Sequence, residues 1–468
     1  MQKNIALIGA GPGGYVAAIR LAQLNHNVTL FEYDKVGGTC LNRGCIPTKT
    51  YFKNAQIMKD LKERDVFGIN LSEDPSIDPI KLVERKDKVV NSLVTGIHQL
   101  ISSYPNITFI NDVAKFESNK VLSWDDGNQK QEFDNIIIAS GSKPKFTETE
   151  GISLPGVITS DDLLELKEIP KSMVIIGAGV IGLEFASIYN ALGSKIYLLA
   201  SRVLKDADGE IQKRIVPILK KEGVEIFKDI RAEKIEKVDG SLKVTAKYKN
   251  KEKFEEIVAD YVLVASGRAP NIEKLSLENT SIEFDESKGI YVNDNFETSV
   301  SGVYAIGDVN SRGIQLAHVA SAQGEFVAAL ISGIKPEVNL DVYPACTFTL
   351  TEVAQVGETE ESLKEKNIEY KTSKFPFIAN GKALSLNESQ GFIKLIQDRE
   401  GYLLGAHILG PHANDLISEC ALVIANHGKT DLIRHTIHAH PTLSEGVMEA
   451  ANDLFDEAIH VQNKKSNK

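Results

Sequence analysis

Asn4-Ile5-Ala6-Leu7-Ile8-Gly9-Ala10-Gly11-Pro12-Gly13-Gly14-Tyr15 is the stretch whose reading decides the fold. A short apolar run, Asn4 to Ile8, feeds a turn with glycine at positions 9, 11 and 14. Tyr15 to Leu24 is rich in Ala and Leu and reads as a helix. Asn27 to Phe31 is a second β run, ending at Glu32. Strand, glycine turn, helix and strand in this order form a dinucleotide-binding unit. Gly9 permits the tight turn, and Gly11 lets backbone N–H groups approach a pyrophosphate. Gly14 lets helix and strand pack closely, and the helix N-terminus favours the phosphate charge. Glu32 follows Gly9 by 23 residues, where a carboxylate accepts both ribose hydroxyls.

The unit recurs. Met173 to Ile176 leads into Gly177-Ala178-Gly179-Val180-Ile181-Gly182, then a helical Leu183 to Leu192 and a β run Lys195 to Leu199. Two such units imply two dinucleotides. At the position equivalent to Glu32 the second unit has Ala200, followed by Ser201, Arg202 and Lys205. The missing carboxylate removes a partner for a 2′-hydroxyl and a source of repulsion against a 2′-phosphate. Arg202 and Lys205 add positive charge there, so the local chemistry favours NADP or dual use.

Asn135 to Ser142 and Tyr261 to Arg268 are matching apolar runs that end in small residues, and both are expected to turn beside a cofactor. Gly302 to Asp308 is a strand ending in Gly-Asp, and Leu316-Ala317-His318 opens another helix. From Tyr343 the pattern changes. β runs over Gly391–Gln397 and Gly405–Leu409 separate helical Thr359–Lys366 and Ala413–Ala425, without a glycine fingerprint. The fold class is α/β: two Rossmann-like dinucleotide-binding domains followed by an α+β domain suited to an interface. The polar tail Asn463 to Lys468 is expected to fray.

The chain has 468 residues, 42% hydrophobic and 25% charged, which is an ordinary globular composition and length for about three domains. Collagen-like, mucin-like and wholly disordered readings are excluded. A net charge of −11 argues against a general nucleic-acid or anionic-membrane binder. No apolar run approaches the ~20 residues of a membrane-spanning helix. The apolar start lacks a basic leader and a cleavage site, so the expected compartment is the cytoplasm.

Four cysteines are too few for a disulfide scaffold. Two of them sit in Gly37-Gly38-Thr39-Cys40-Leu41-Asn42-Arg43-Gly44-Cys45-Ile46-Pro47-Thr48-Lys49. This spacing puts them little more than one helical turn apart, close enough to bond if the turn is distorted. Zinc would need two more ligands, and Cys346 and Cys420 lie far off. Redox chemistry is the preferred reading over zinc or a structural disulfide.

These motifs together resemble the pyridine nucleotide-disulfide oxidoreductases, over essentially the whole chain. Ala265-Ser266-Gly267-Arg268, Ala305-Ile306-Gly307-Asp308 and His438-Ala439-His440-Pro441-Thr442-Leu443-Ser444-Glu445 carry the resemblance with the two fingerprints and the cysteine motif. Cys-Leu-Asn-Arg-Gly-Cys and the His-Pro motif are most similar to the dihydrolipoamide-oxidising branch. Cys420 is the last cysteine, so the branches with an extra C-terminal pair do not fit. The resemblance implies domains at 1–147 (FAD, first part), 148–271 (NAD(P)), 272–342 (FAD, second part) and 343–468 (dimerisation).

By the same resemblance, Cys40 is the interchange thiol and Cys45 the thiolate nearer the flavin. His440 is the general base, oriented by Glu445, and it reaches the cysteines of a partner subunit in a homodimer. Lys49 and Glu184 pair beside the flavin and nicotinamide. For FAD, Gly9, Gly11 and Gly14 hold the pyrophosphate, Glu32 the ribose, Asp308 the ribityl chain and Ala317 the pyrimidine edge. Gly38, Thr39, Ala114, Ser140 and Gly141 complete that site. Gly177, Gly179, Gly182, Ser201, Arg202 and Gly267 form the nicotinamide-nucleotide site, where the resemblance favours NAD and the local chemistry NADP. The implied reaction oxidises dihydrolipoamide on a lipoyl-bearing protein, of a 2-oxoacid dehydrogenase complex or the glycine cleavage system. The rival is an NADPH-dependent reductase of another small disulfide such as glutathione disulfide. No metal is expected.

Overall fold

A computed structural model describes residues 1–462. The tail expected to fray, Asn463 to Lys468, lies outside the described residues. In the first strand, Asn4–Ile8, the last four residues are all buried. Helices cover one face of its sheet, and a three-stranded antiparallel sheet (residues 115–132) with the segment 272–300 covers the other, so the run is continuously apolar rather than alternating. The sheet is parallel, in the order Val303–Ala305, Asn135–Ile138, Asn4–Ile8, Asn27–Phe31, Ile107–Ile110. Strands from both ends of the first 310 residues thus share one sheet. The helix Pro12–Gln23 starts with Pro at its first position and crosses the helix Ala317–Ile331 at two small residues. A Cβ on Gly324 would stand 2.6 Å from the carbonyl oxygen of Gly13. This close crossing brings both helix N-termini to one place.

The second unit copies the first. Its parallel sheet runs Glu225–Lys228, Lys195–Val203, Ser172–Ala178, Tyr261–Val264, Val157–Ile158. Gly9 and Gly177 have φ of +102° and +113°, and a Cβ on either would lie 2.4 Å from a carbonyl oxygen of the neighbouring strand end. The copies differ at one point. Ile176 pairs with Leu199, but Ala178 pairs next with Val203. Gly177 therefore faces three residues, Ala200 to Arg202, in a bulge. The strand expected to end at Leu199 runs on to Val203 because pairing resumes there.

The C-terminal part is a five-stranded antiparallel sheet, Ala345–Thr347, Glu352–Gly357, Leu403–Gly410, Phe392–Gln397, Lys371–Pro376, packed by Ala413–Ala425 and Glu445–Asp453. Buried polar ties join the parts. Lys394 donates to Asp208 at 2.9 and 3.0 Å and to Glu360 at 2.5 Å. The Tyr51 hydroxyl donates to the Leu164 carbonyl, and Tyr189 to that of Leu163. Among the described residues no helix is long and apolar enough to cross a membrane.

Candidate active site

Cys40 lies in a short helix, Gly38–Arg43, and Cys45 opens the next, Cys45–Lys62. Gly44 breaks the path between them, with φ −135° and ψ −110°. A Cβ there would meet the Thr39 carbonyl oxygen at 2.9 Å. The Asn42 amide holds the first turn by donating to Val36 and Gly38 carbonyls at 3.0 and 2.9 Å. This break is the distortion that lets the two thiols meet. Both are free, and they hydrogen-bond each other. The Cys40 bond brings the Cys45 thiol down to about 7, against burial and with help from the Lys49 charge. The same bond, with burial, pushes Cys40 up. Of the two thiols Cys45 is the one favoured as thiolate, at a helix N-terminus without a side-chain cap.

Lys49 reaches across to Glu184 at 3.0 and 3.1 Å. Glu184 is buried and also accepts the Phe348 N–H at 2.9 Å. The Lys49 ammonium sits 4.3 Å from the centre of the Phe348 ring. Glu184 thus joins the cysteine helix, the second glycine unit and the C-terminal sheet region.

His440 Nδ1 is 2.9 Å from Glu445 Oε1. Burial raises the Glu445 carboxyl, but the Thr442 N–H and His440 outweigh it and hold the group below its ordinary value. His438 is spoken for, 2.8 Å from Glu419 and 5% exposed at its side chain. The His440 side chain is 80% exposed and stands outside the cavity that holds the cysteines of its own chain.

That cavity measures about 1910 Å³ and is continuous between the two glycine turns. It exceeds the ~300–1,000 Å³ of a single small-ligand pocket. Cys40, Cys45, Lys49 and Glu184 lie within it. Gly9, Gly11, Glu32, Gly38, Thr39, Ala114, Ser140, Gly141, Asp308 and Ala317 line one side. Gly177, Gly179, Ser201, Arg202 and Gly267 line the other. Gly14 and Gly182 do not line it. A Cβ on either would meet the carbonyl oxygen of Gly9 or Gly177 at 1.8–1.9 Å. Their contribution on this geometry is packing behind the turn, the role expected of Gly14 from sequence.

Residues 3–324 match the family model described as pyridine nucleotide-disulphide oxidoreductase, and residues 343–451 match its dimerisation domain. The chain belongs to this oxidoreductase family. It is 39% identical to a dihydrolipoyl dehydrogenase of Bacillus subtilis, with 98% of each chain covered. It is 37% identical to the mitochondrial dihydrolipoyl dehydrogenase of Pisum sativum, covering 98% of this chain and 93% of that one. Among solved structures, the HOCl-induced flavoprotein disulfide reductase RclA from Escherichia coli superposes with a TM-score of 0.85 at 29% identity, covering 96% and 99% of the two chains.

As a member of this family the chain is an oxidoreductase that uses FAD and NAD(P), and the cavity fits both. The helices after the glycine turns have no side-chain cap and no acidic residue in the first turn. Neither does the helix at Ala317. Their N–H groups are left for anions. The Ser140 hydroxyl is buried without a partner on the FAD side. A Cβ on Gly38 would lie 2.8 Å from Gly11 Cα, so backbone alone forms that wall. Around Gly179 and Gly267 a Cβ would meet nothing, leaving open space. Glu32 accepts the N–H groups of Ala10 and Asp34 at 2.8 and 2.9 Å, which fixes its carboxylate at the strand end.

Three residues in this oxidoreductase went unassigned from sequence. The Ser142 hydroxyl donates to Asp308 at 2.6 Å and accepts from Arg268 Nε at 2.7 Å. Arg268 also donates to the Ser142 carbonyl at 2.8 Å. Burial pushes the Asp308 carboxyl up, opposed by Ser142 and Arg268. Ser142 and Arg268 end the two matching strand runs, and that symmetry was the available signal. Phe348 carried no signal, since its contact to Glu184 depends on the packing of a distant segment.

Proposed function

We propose that this chain oxidises protein-bound dihydrolipoamide to lipoamide at the Cys40–Cys45 pair, passing the electrons through FAD to NAD(P)+. The observation that carries this reading is one cavity holding a polarised thiol pair between two glycine cradles. Full-length relatives that are dihydrolipoyl dehydrogenases support the dithiol substrate over glutathione disulfide.

With the pair oxidised, His440 of the partner subunit takes a proton from one substrate thiol. The thiolate attacks Cys40 Sγ, forming a mixed disulfide and releasing Cys45 as thiolate. The second substrate thiol then attacks the first sulfur, closing lipoamide and expelling Cys40; its proton passes to Cys40, so His440 is left protonated and Cys45 as the thiolate. Two electrons have moved onto the pair. Lys49 compensates the Cys45 charge, and Glu184 fixes Lys49. Bound FAD supplies a two-electron carrier between thiolate and nicotinamide. Glu445 holds the His440 ring for proton exchange.

The remaining assignments belong to the same reading. The chain acts as a homodimer in the cytoplasm and serves a lipoyl-bearing protein of a 2-oxoacid dehydrogenase complex or the glycine cleavage system. Residues 1–147 and 272–342 form the FAD domain, 148–271 the NAD(P) domain and 343–468 the dimerisation domain. The shared first sheet supports that division. The test is dihydrolipoamide oxidation by the flavin-loaded protein with NAD or NADP as acceptor. Turnover is expected with at least one, and Cys45→Ser abolishes it. Reduction of glutathione disulfide by NADPH without dihydrolipoamide turnover would reject the proposal.

A further inference from the structure

We infer that the bulged end of the second dinucleotide unit is a 2′-phosphate clamp built by Ser201, Arg202, Lys205 and Arg231, so that the nucleotide accepted is NADP. The inference rests on the proposed oxidation of dihydrolipoamide only for the direction of electron flow. In the first unit the strand delivers a carboxylate, Glu32, to the cavity. In the second the equivalent Ala200 is buried and contributes no wall to the cavity. The three-against-one bulge instead turns Ser201 and Arg202 outward, and both line the cavity with Lys205. Arg231 arrives independently. It is the second residue of the strand Ile230–Val238 and lines the same cavity.

The charges are available. Arg202 and Arg231 make no ion pair or side-chain hydrogen bond among the described residues. Lys205 has only a loose 4.0 Å approach to Asp206. Two guanidinium forks without carboxylates and one hydroxyl match a phosphate dianion rather than a ribose hydroxyl pair. The backbone that follows Lys205 is held by side chains. Gln212 donates to the Ala207 carbonyl at 2.7 Å, and Gln355 to that of Asp206 at 3.0 Å. Asp208, fully buried, is held by Lys394. These bonds fix the turn that carries Lys205, while the two unpartnered guanidinium groups order on the anion. Glu233, on the Arg231 strand, and Asp206, beside Lys205, are the acidic side chains lining the cavity near the clamp, and Glu233 is the one tested below as a partner for a free 2′-hydroxyl.

The test uses the flavin-loaded protein and calorimetric titration with adenosine 2′,5′-bisphosphate and adenosine 5′-monophosphate. The bisphosphate is expected to bind at least about tenfold more tightly. Arg202→Ala and Arg231→Ala are each expected to lose about tenfold for the bisphosphate while leaving the monophosphate within about twofold. Equal affinities, or no effect of either substitution, would overturn the clamp. So would a loss of monophosphate affinity in Glu233→Gln with no 2′-phosphate preference, which assigns the edge to NAD. Dihydrolipoamide turnover with NAD alone and equal affinities rejects the clamp and keeps the oxidation. Absence of turnover with either nucleotide rejects the oxidation, and the titrations still decide the clamp.

Discussion

Cys45 carries the charge of the reduced pair because a Cys40 thiol donates to it, Lys49 stands nearby and a helix begins at it. A depressed thiol is ionised above its own value and protonated below it. In the reduced protein the thiolate signal in the ultraviolet is expected to fall as pH drops through about 7. Lys49→Met is expected to shift that midpoint upward by about one unit. An unchanged midpoint would show that Lys49 does not act on the sulfur. The cysteine pair and Lys49 were legible because their spacing within one segment is itself the chemistry. Ser142 and Arg268 were quoted in the sequence but not assigned. Their value depends on Asp308, which lies 166 residues from Ser142.

Both glycine turns were legible as elements, since a positive φ against a neighbouring carbonyl admits no side chain at Gly9 or Gly177. The break at Gly44 and the bulge at Ala200–Arg202 were not. Each is set by what pairs on its far side: the Asn42 amide bonds in one case, Val203 in the other. The crossing of Pro12–Gln23 over Ala317–Ile331 is similarly hidden, because Gly324 reads as an unremarked helix residue. Gly324→Ala would drive a methyl into Gly13. The expected cost is about 1–3 kcal/mol of stability, read by thermal unfolding, with easier loss of FAD from the displaced Gly11 turn. Unchanged melting and flavin retention would mean that the helices shift apart freely.

At the scale of the whole molecule, each chain holds two halves of the proposed chemistry that do not meet within it: the cysteines in the cavity, and His440 on an exposed face. A dimer of one Cys45→Ser chain and one His440→Ala chain, purified with two tags, is expected to recover about half the wild-type dihydrolipoamide turnover, one intact site of two. Either homodimer loses it. An inactive mixed dimer would show that His440 serves its own chain. The domain order was legible from the repeated glycine units, whereas ties such as Lys394 to Asp208 span 186 residues and carry no local pattern. Tyr51 and Tyr189 grip adjacent carbonyls, Leu164 and Leu163, from two helices that pack against each other, one of which begins at Cys45. Those phenols rivet the cysteine helix and the second unit's helix to one short segment. A shift of that segment would move the sulfur side and the nucleotide side together, so the two ends of the electron path share one mount.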